Sequence, residues 1–320
     1  MTQRSFSFLR RSALIGVLMI GANAGHGQSV QVLLIRGDSL LDVEKPQRAL
    51  EVFDAAVKKE STAATLLGRA RAYKALDRNE RFIQDVDKAL KLDSTSGEGH
   101  FQRGLYSFTT KDYEKAEYHG GRAITYARNN LWRARSHNLR GEARSEAGKV
   151  DLAIEDLEAA RSLGREDVAS LRTLARLYDM ADRHADALAV LERLCDLEPN
   201  DPGHWTNKGY ELTMVGRYED ALAALDRALA YDPDEPIALS NKAYTYMKME
   251  RNDDAWITVE RSLKNYPSNP HALRTRAILR LRKGERIKAC EDLGVAKALG
   301  DVPEVDELIK ENCATPGGVR

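Results

Sequence analysis

Six of the nine prolines fall on two lines with a single interval. Pro199, Pro233 and Pro267 stand 34 residues apart, and Pro202, Pro236 and Pro270 repeat that spacing. Proline is tolerated in the first turn of a helix, where its missing N–H would be unpaired anyway, and it interrupts a helix elsewhere. Two such lines mark helix ends and helix starts that recur at a fixed period, so the chain is an array of similar units.

Counting Pro202 as position 1, units begin near Val30, Ala63, Gly97, Ala134, Val168, Pro202, Pro236 and Pro270. Position 8 is then small throughout: Gly37, Ala70, Gly104, Gly141, Ala175, Gly209, Ala243 and Ala277. Position 20 is Ala in every unit except the second, which has Phe82. Position 24 is mostly Phe, Leu or Val, and position 27 mostly Ala. Small side chains let two helices approach closely, so each unit reads as two antiparallel helices joined near position 15, with 8 facing 20. Plentiful Ala, Glu, Lys, Arg and Leu, with only 7% aromatic residues, agree with helix throughout.

This pattern resembles the tetratricopeptide repeat over about residues 30–303, most fully at Trp205, Gly209, Ala221, Leu225, Ala228 and Pro233. The expected fold is all-α, a right-handed superhelical solenoid of about eight antiparallel hairpins within 25–303. A capping helix over 304–310 follows, with Val305, Leu308 and Ile309 on one face, and then a flexible tail over 311–320. The resemblance implies binding of a protein or peptide partner. One unit departs from the pattern: the third has Gly120 and Gly121 where a large residue is wanted and runs 37 residues instead of 34. Its junction with the fourth unit should be weak, or Trp132 should fill the hole.

Residues 1–24 carry Arg4, Arg10 and Arg11 and no acid, then an apolar run from Ala13 to Ile20 and the small-x-small triplet Ala22-Asn23-Ala24. That is the form of a cleaved signal peptide, with the general secretory route favoured, and predicts an exported, periplasmic protein. The run is too short to span a bilayer, so no transmembrane segment is expected in the mature chain. The whole chain has no net charge, and no basic stripe recruits nucleic acid.

No nucleophile elbow or phosphate-cradling glycine loop occurs, so no catalytic residues are assigned and the chain is expected not to be an enzyme. None of the seven histidines forms the i, i+4 pair of a metal-binding helix face, and neither a metal site nor a cofactor is expected. Position 7 is basic in seven units: Arg36, Arg69, Arg103, Arg140, Lys208, Lys242 and Arg276. Asp85, Asp156 and Asp292 at position 23 should pair with Arg69, Arg140 and Arg276 inside their own units. Cys290 and Cys313 are symmetric about the turn at Asp301-Val302, which permits a disulfide, while Cys195 is expected to be buried and inert.

First helices of stacked hairpins line a concave face. The register puts Arg172, Arg176, Asn207, Tyr210, Met214, Asn241, Tyr244, Met247, Lys248, Arg274 and Arg282 on it. Asparagine amides offer a donor and an acceptor to a peptide backbone, and Tyr and Met give adaptable apolar contact. The leading expectation is a non-catalytic scaffold or adaptor of the cell envelope, binding a peptide or partner surface in this groove. An accessory subunit or processing enzyme for envelope polymers, or a small-ligand carrier, is the alternative.

Overall fold

The computed structural model describes residues 28–300 and 302–313. The signal-peptide reading of 1–24 and most of the tail, 314–320, lie outside the described residues. Seventeen helices and no strand occur among the described residues. They are α1 (Val30–Asp42), α2 (Pro46–Lys59), α3 (Ala63–Ala75), α4 (Asn79–Leu92), α5 (Gly97–Thr109), α6 (Tyr113–Thr125), α7 (Asn130–Glu146), α8 (Val150–Ser162) and α9 (Val168–Met180). There follow α10 (His184–Leu197), α11 (Pro202–Met214), α12 (Tyr218–Leu229), α13 (Pro236–Lys248), α14 (Asn252–Asn265), α15 (Pro270–Arg282), α16 (Arg286–Leu299) and α17 (Val305–Asn312). The chain forms two compact units, one ending at Phe82 and one starting at Ile83. Each is built from an all-α solenoid arrangement of helical hairpins.

Every hairpin turns on a residue with left-handed backbone at register position 15. These are Glu44, Asp77, Lys111, Gly148, Asp182, Gly216, Glu250 and Gly284, with φ between 54° and 79°. At Gly216 the pattern is complete: its own N–H donates to the Thr213 carbonyl at 3.1 Å, and the Arg217 N–H reaches back to the Leu212 carbonyl at 2.8 Å. Those two bonds satisfy the last carbonyls of α11, as in a Schellman motif. The first helix of every hairpin starts on a side-chain cap. Just ahead of Pro202, Pro236 and Pro270, the side chains of Asp201, Glu235 and Asn269 accept from the backbone N–H groups of Gly203, Ala238, and His271 and Ala272.

In the hairpin interior position 8 faces position 20 at Gly104, where a Cβ would lie 3.4 Å from the Ala116 carbonyl oxygen, but elsewhere it meets position 24 more closely. A Cβ on Gly209 would lie 2.5 Å from Leu225 Cγ, and one on Gly37 would lie 2.4 Å from the Phe53 ring. Position 8 is therefore small to admit the large side chain at position 24. Ala221, at position 20, is fully buried beside that contact.

Gly120 of the third unit meets Arg140 of the fourth, not Trp132. Helix α7 begins at Asn130, not Ala134, with Asn129 capping it, so the three extra residues lengthen the helix at its start. A Cβ on Gly120 would sit 2.9 Å from Arg140 Cβ and 3.3 Å from Arg140 Cα. The missing large residue is replaced by the close approach of α7 itself. Trp132 packs edge-on to Phe101, 5.4 Å between ring centroids.

At the C-terminal end α17 runs two residues beyond the expected 310 boundary. Val302 and Val305 are buried against α15 and α16 residues such as Leu279 and Leu293, with Leu308 and Ile309 packed alongside. Cys313 closes the helix and is disulfide-bonded to Cys290. Cys195 is buried and free, and burial pushes its thiol up to about 11.

Candidate functional site

Basic residues at position 7 make two kinds of contact. Arg140 donates from Nε and Nη2 to Asp156 at 2.7 Å each, and Arg276 does the same to Asp292 at 2.9 and 2.8 Å. These stay within one hairpin. Others reach back to the acid at position 25 of the preceding repeat: Arg69 to Asp54 at 3.0 Å, Arg103 to Asp87 at 2.9 Å, Lys208 to Glu192 at 3.7 Å, and Lys242 to Asp226. Arg276 also does so, with Nη1 3.1 Å from Glu260. Position 7 thus pairs within its own repeat at Arg140 and Arg276, as expected, and in five repeats also clasps the preceding one. In the third repeat position 25 is Gly121, so Arg140 has no acid there to clasp.

A cavity of about 610 Å³ opens among α9, α10, α11, α13 and α15. Arg172, Arg176, Asn207, Tyr210 and Asn241 all line it, together with Asp179, Asp201, His204, Glu211 and His271. Leu191 and Leu194 supply its apolar wall. Asn207 is exposed, whereas Asn241 is half-buried with its Nδ2 3.5 Å from the Thr206 carbonyl. Tyr210 is half-buried, and burial pushes its phenol up to about 12.

Both arginines of the wall are already engaged. Arg172 Nη2 donates to Glu198 at 2.8 Å and Asp201 at 2.7 Å, and Arg176 Nη2 donates to Ser145 Oγ at 2.8 Å. Their fixed positions frame the cavity mouth instead of offering freely rotating charges.

The remaining expected groove residues are not among the cavity lining. Tyr244, Met247 and Arg274 are buried, at 4%, 3% and 4% exposure. The Arg274 guanidinium lies 4.5 Å over the Tyr244 ring, and Met247 belongs to the α13–α16 core. Tyr210 and Tyr244 share register position 9 yet differ because of what the next repeat supplies at position 5. Arg274 covers Tyr244, whereas the equivalent Ser240 is too short to cover Tyr210. Lys248 places Nζ 5.2 Å from the outer face of Tyr244. Arg282 is held by Asn252 Oδ1 at 2.6 Å and the Met247 carbonyl at 3.2 Å, and Met214 is exposed.

Two histidine–carboxylate clusters adjoin the cavity, one local in sequence, with its residues three apart, and the other drawn from three helices. His204 lies 3.0 Å from Glu198 and 3.5 Å from Asp201, with Arg172 neutralising both acids. In the other, His184 Nδ1 is 2.9 Å from Glu211 Oε2 and 3.9 Å from Asp179 Oδ1. Burial, and then the charge of Asp179 and a hydrogen bond to it, push the Glu211 carboxyl up to about 8. Burial raises Asp179 as well.

Comparison with known proteins decides what these hairpins are. Residues 36–97, 168–211 and 212–279 each match a description of the tetratricopeptide repeat. The chain carries tetratricopeptide repeats. Proteins built from tetratricopeptide repeats generally mediate protein–protein interaction and are typically non-catalytic. An Hsp70-Hsp90 organizing protein of Triticum aestivum is 25% identical over 133 residues, 41% of this chain. The chain spans only 23% of that relative's length. Among solved structures, a tetratricopeptide repeat protein from Parabacteroides merdae is 16% identical, with a TM-score of 0.49, covering 90% of this chain and 100% of that one. YrrB, described as a tetratricopeptide repeat protein with an unusual peptide-binding site, is 20% identical, with a TM-score of 0.42, covering 71% and 98%. No helix among the described residues is long and apolar enough to cross a membrane.

Proposed function

We propose that this protein is a non-catalytic adaptor of the cell envelope that holds a peptide segment or partner surface in the cavity walled by α9, α11 and α13. The convergence of Asn207, Tyr210 and Asn241 on one cavity of about 610 Å³ carries this reading. The two amides offer donors and acceptors to an extended backbone, the Tyr210 ring offers apolar area, and Leu191 and Leu194 give a side chain somewhere to bury. Export is supported by the basic start, the apolar run and Ala22-Asn23-Ala24. It is supported also by the Cys290–Cys313 bond, which persists in an oxidising compartment.

Asn207→Ala combined with Asn241→Ala tests the groove. A partner crosslinked to the wild-type chain in envelope extract is expected to bind the double variant about tenfold more weakly, the worth of one or two hydrogen bonds. The melting temperature should be nearly unchanged, since Asn207 is exposed and Asn241 makes one long bond. Equal binding by the two proteins overturns the assignment of this cavity.

A further inference from the structure

We propose that Asp179, His184 and Glu211 form a binding site for a divalent transition-metal ion, with zinc as the natural probe. The three side chains come from the end of α9, the first residue of α10 and the last turn of α11, and their ligand atoms lie within 4.8 Å of one another. Two ligand atoms about 2.1 Å from one ion at a tetrahedral or octahedral angle are about 3.0 to 3.4 Å apart. The observed separations from His184 Nδ1, 2.9 Å to Glu211 and 3.9 Å to Asp179, bracket that range. A common centre requires Asp179 to come closer to His184 than the 3.9 Å observed.

The neighbouring cluster supplies the contrast. Glu198, Asp201 and His204 have the same composition, but Arg172 already occupies the position a cation would take. At Asp179 and Glu211 no Arg or Lys among the described residues is ion-paired or hydrogen-bonded to either acid. Their nearest basic group is the His184 ring, itself 16% exposed. Glu211 has a side chain only 4% exposed, so a lysine or arginine from a partner has little access to it, whereas a bare ion needs none of that room. One imidazole nitrogen with two carboxylates suits Zn²⁺ and its first-row neighbours better than Mg²⁺ or Ca²⁺, which take all-oxygen sets. Three protein ligands leave further positions to water from the adjoining cavity, as in open zinc sites. The ion would tie the α9–α10 hairpin to the first helix of the following repeat.

Untagged full-length protein is stripped with a chelator and titrated with Zn²⁺ by calorimetry, with Mg²⁺ as a competitor. The expected result is one Zn²⁺ per chain, not displaced by equimolar Mg²⁺, and a rise in melting temperature on binding. His184→Gln and Glu211→Gln should each weaken binding by about tenfold or more, while Glu198→Gln in the Arg-neutralised cluster changes it less than about twofold. Circular dichroism checks that each variant is folded. If Glu211→Gln is not, Asp179→Asn takes its place under the same criterion. Failure of the wild type to bind Zn²⁺, or equal binding by wild type and the His184 and Glu211 variants, overturns the proposal. Neither result bears on the groove, whose test uses Asn207 and Asn241.

Discussion

Arg140 and Asp156 face each other across one hairpin with two parallel hydrogen bonds of 2.7 Å. Asp156 is 2% exposed and also accepts from Arg144 at 2.8 Å, with His137 Nδ1 hydrogen-bonded to it at 2.8 Å. Burial by itself would raise its carboxyl, but hydrogen bonds from His137 and Arg140 and the nearby guanidinium charges outweigh it and hold the group below the usual range. Asp156→Asn is expected to cost about 3 kcal/mol, because two arginines and a histidine lose the charge they converge on.

The same carboxylate sets an acid limit on stability. A carboxyl depressed on folding contributes stability that is present above its unfolded value of about 3.9 and lost as pH falls through the lower folded value. Urea midpoints followed from pH 6 down to pH 2.5 should therefore fall more steeply for the wild type than for Asp156→Asn. Parallel curves would show that Asp156 is not a source of the acid sensitivity.

Gly209→Ala sets two effects against each other. Alanine gains about 1 kcal/mol of helix propensity over glycine, but its Cβ would come within 2.5 Å of Leu225 Cγ, a side chain with 0% exposure. Overpacking of a filled core costs about 1 to 3 kcal/mol, so a net loss of stability is expected. Leu225→Ala in the same chain makes room for the new methyl, and the double-mutant cycle should show a favourable coupling.

Glu250→Gly acts in the opposite direction. Glu250 holds φ 61°, a left-handed conformation that costs an ordinary residue about 1 to 2 kcal/mol, while glycine adopts it without strain but loses more entropy on folding. The balance favours glycine by about 0.5 kcal/mol. Gly284→Ala at the equivalent turn, φ 78°, should destabilise. Thermal denaturation of the pair checks both signs.

Cys313→Ser, or reduction, should release α17 first. The disulfide closes a loop with a sequence separation of 23, for which the chain-entropy account gives about 3 kcal/mol. Hydrogen exchange is expected to quicken in α17 while α13 and α14 keep their protection, since end units of a repeat array open before inner ones. Unchanged exchange in α17 would mean that the packing of Val305 and Leu308 suffices.

The repeat architecture was legible because it is written locally. Pro202, Pro236 and Pro270 sit in first turns, and the small residues at position 8 recur wherever a position-24 side chain must fit. Contacts between repeats were not legible in the same way. The bond from Lys242 to Asp226 spans a helix-to-helix junction, and the fate of Tyr244 depends on a residue thirty positions later, Arg274. Asp179, His184 and Glu211 share no helical face. Only the stacking of α11 on the α9–α10 hairpin brings them within reach, so a search of histidine spacings passes over them. The gap at Gly120 was visible, but its remedy, the approach of the Arg140 backbone, is a property of helix placement.

The clasp between position 25 of one repeat and position 7 of the next gives the array a direction and an interchangeable joint. Excising residues 236–269 would bring the Asp226 end of one repeat to the Arg276 start of another, regenerating an acid–base joint of the kind that was removed. Gly121 before Arg140, and Leu174 at position 7 of the fifth repeat, break that equivalence. A chain shortened or lengthened by whole repeats on the C-terminal side keeps a matched seam, whereas a splice at the third repeat inherits a partner shaped for one neighbour alone. Gain and loss of repeats can therefore proceed on one side of this molecule without inventing a new contact.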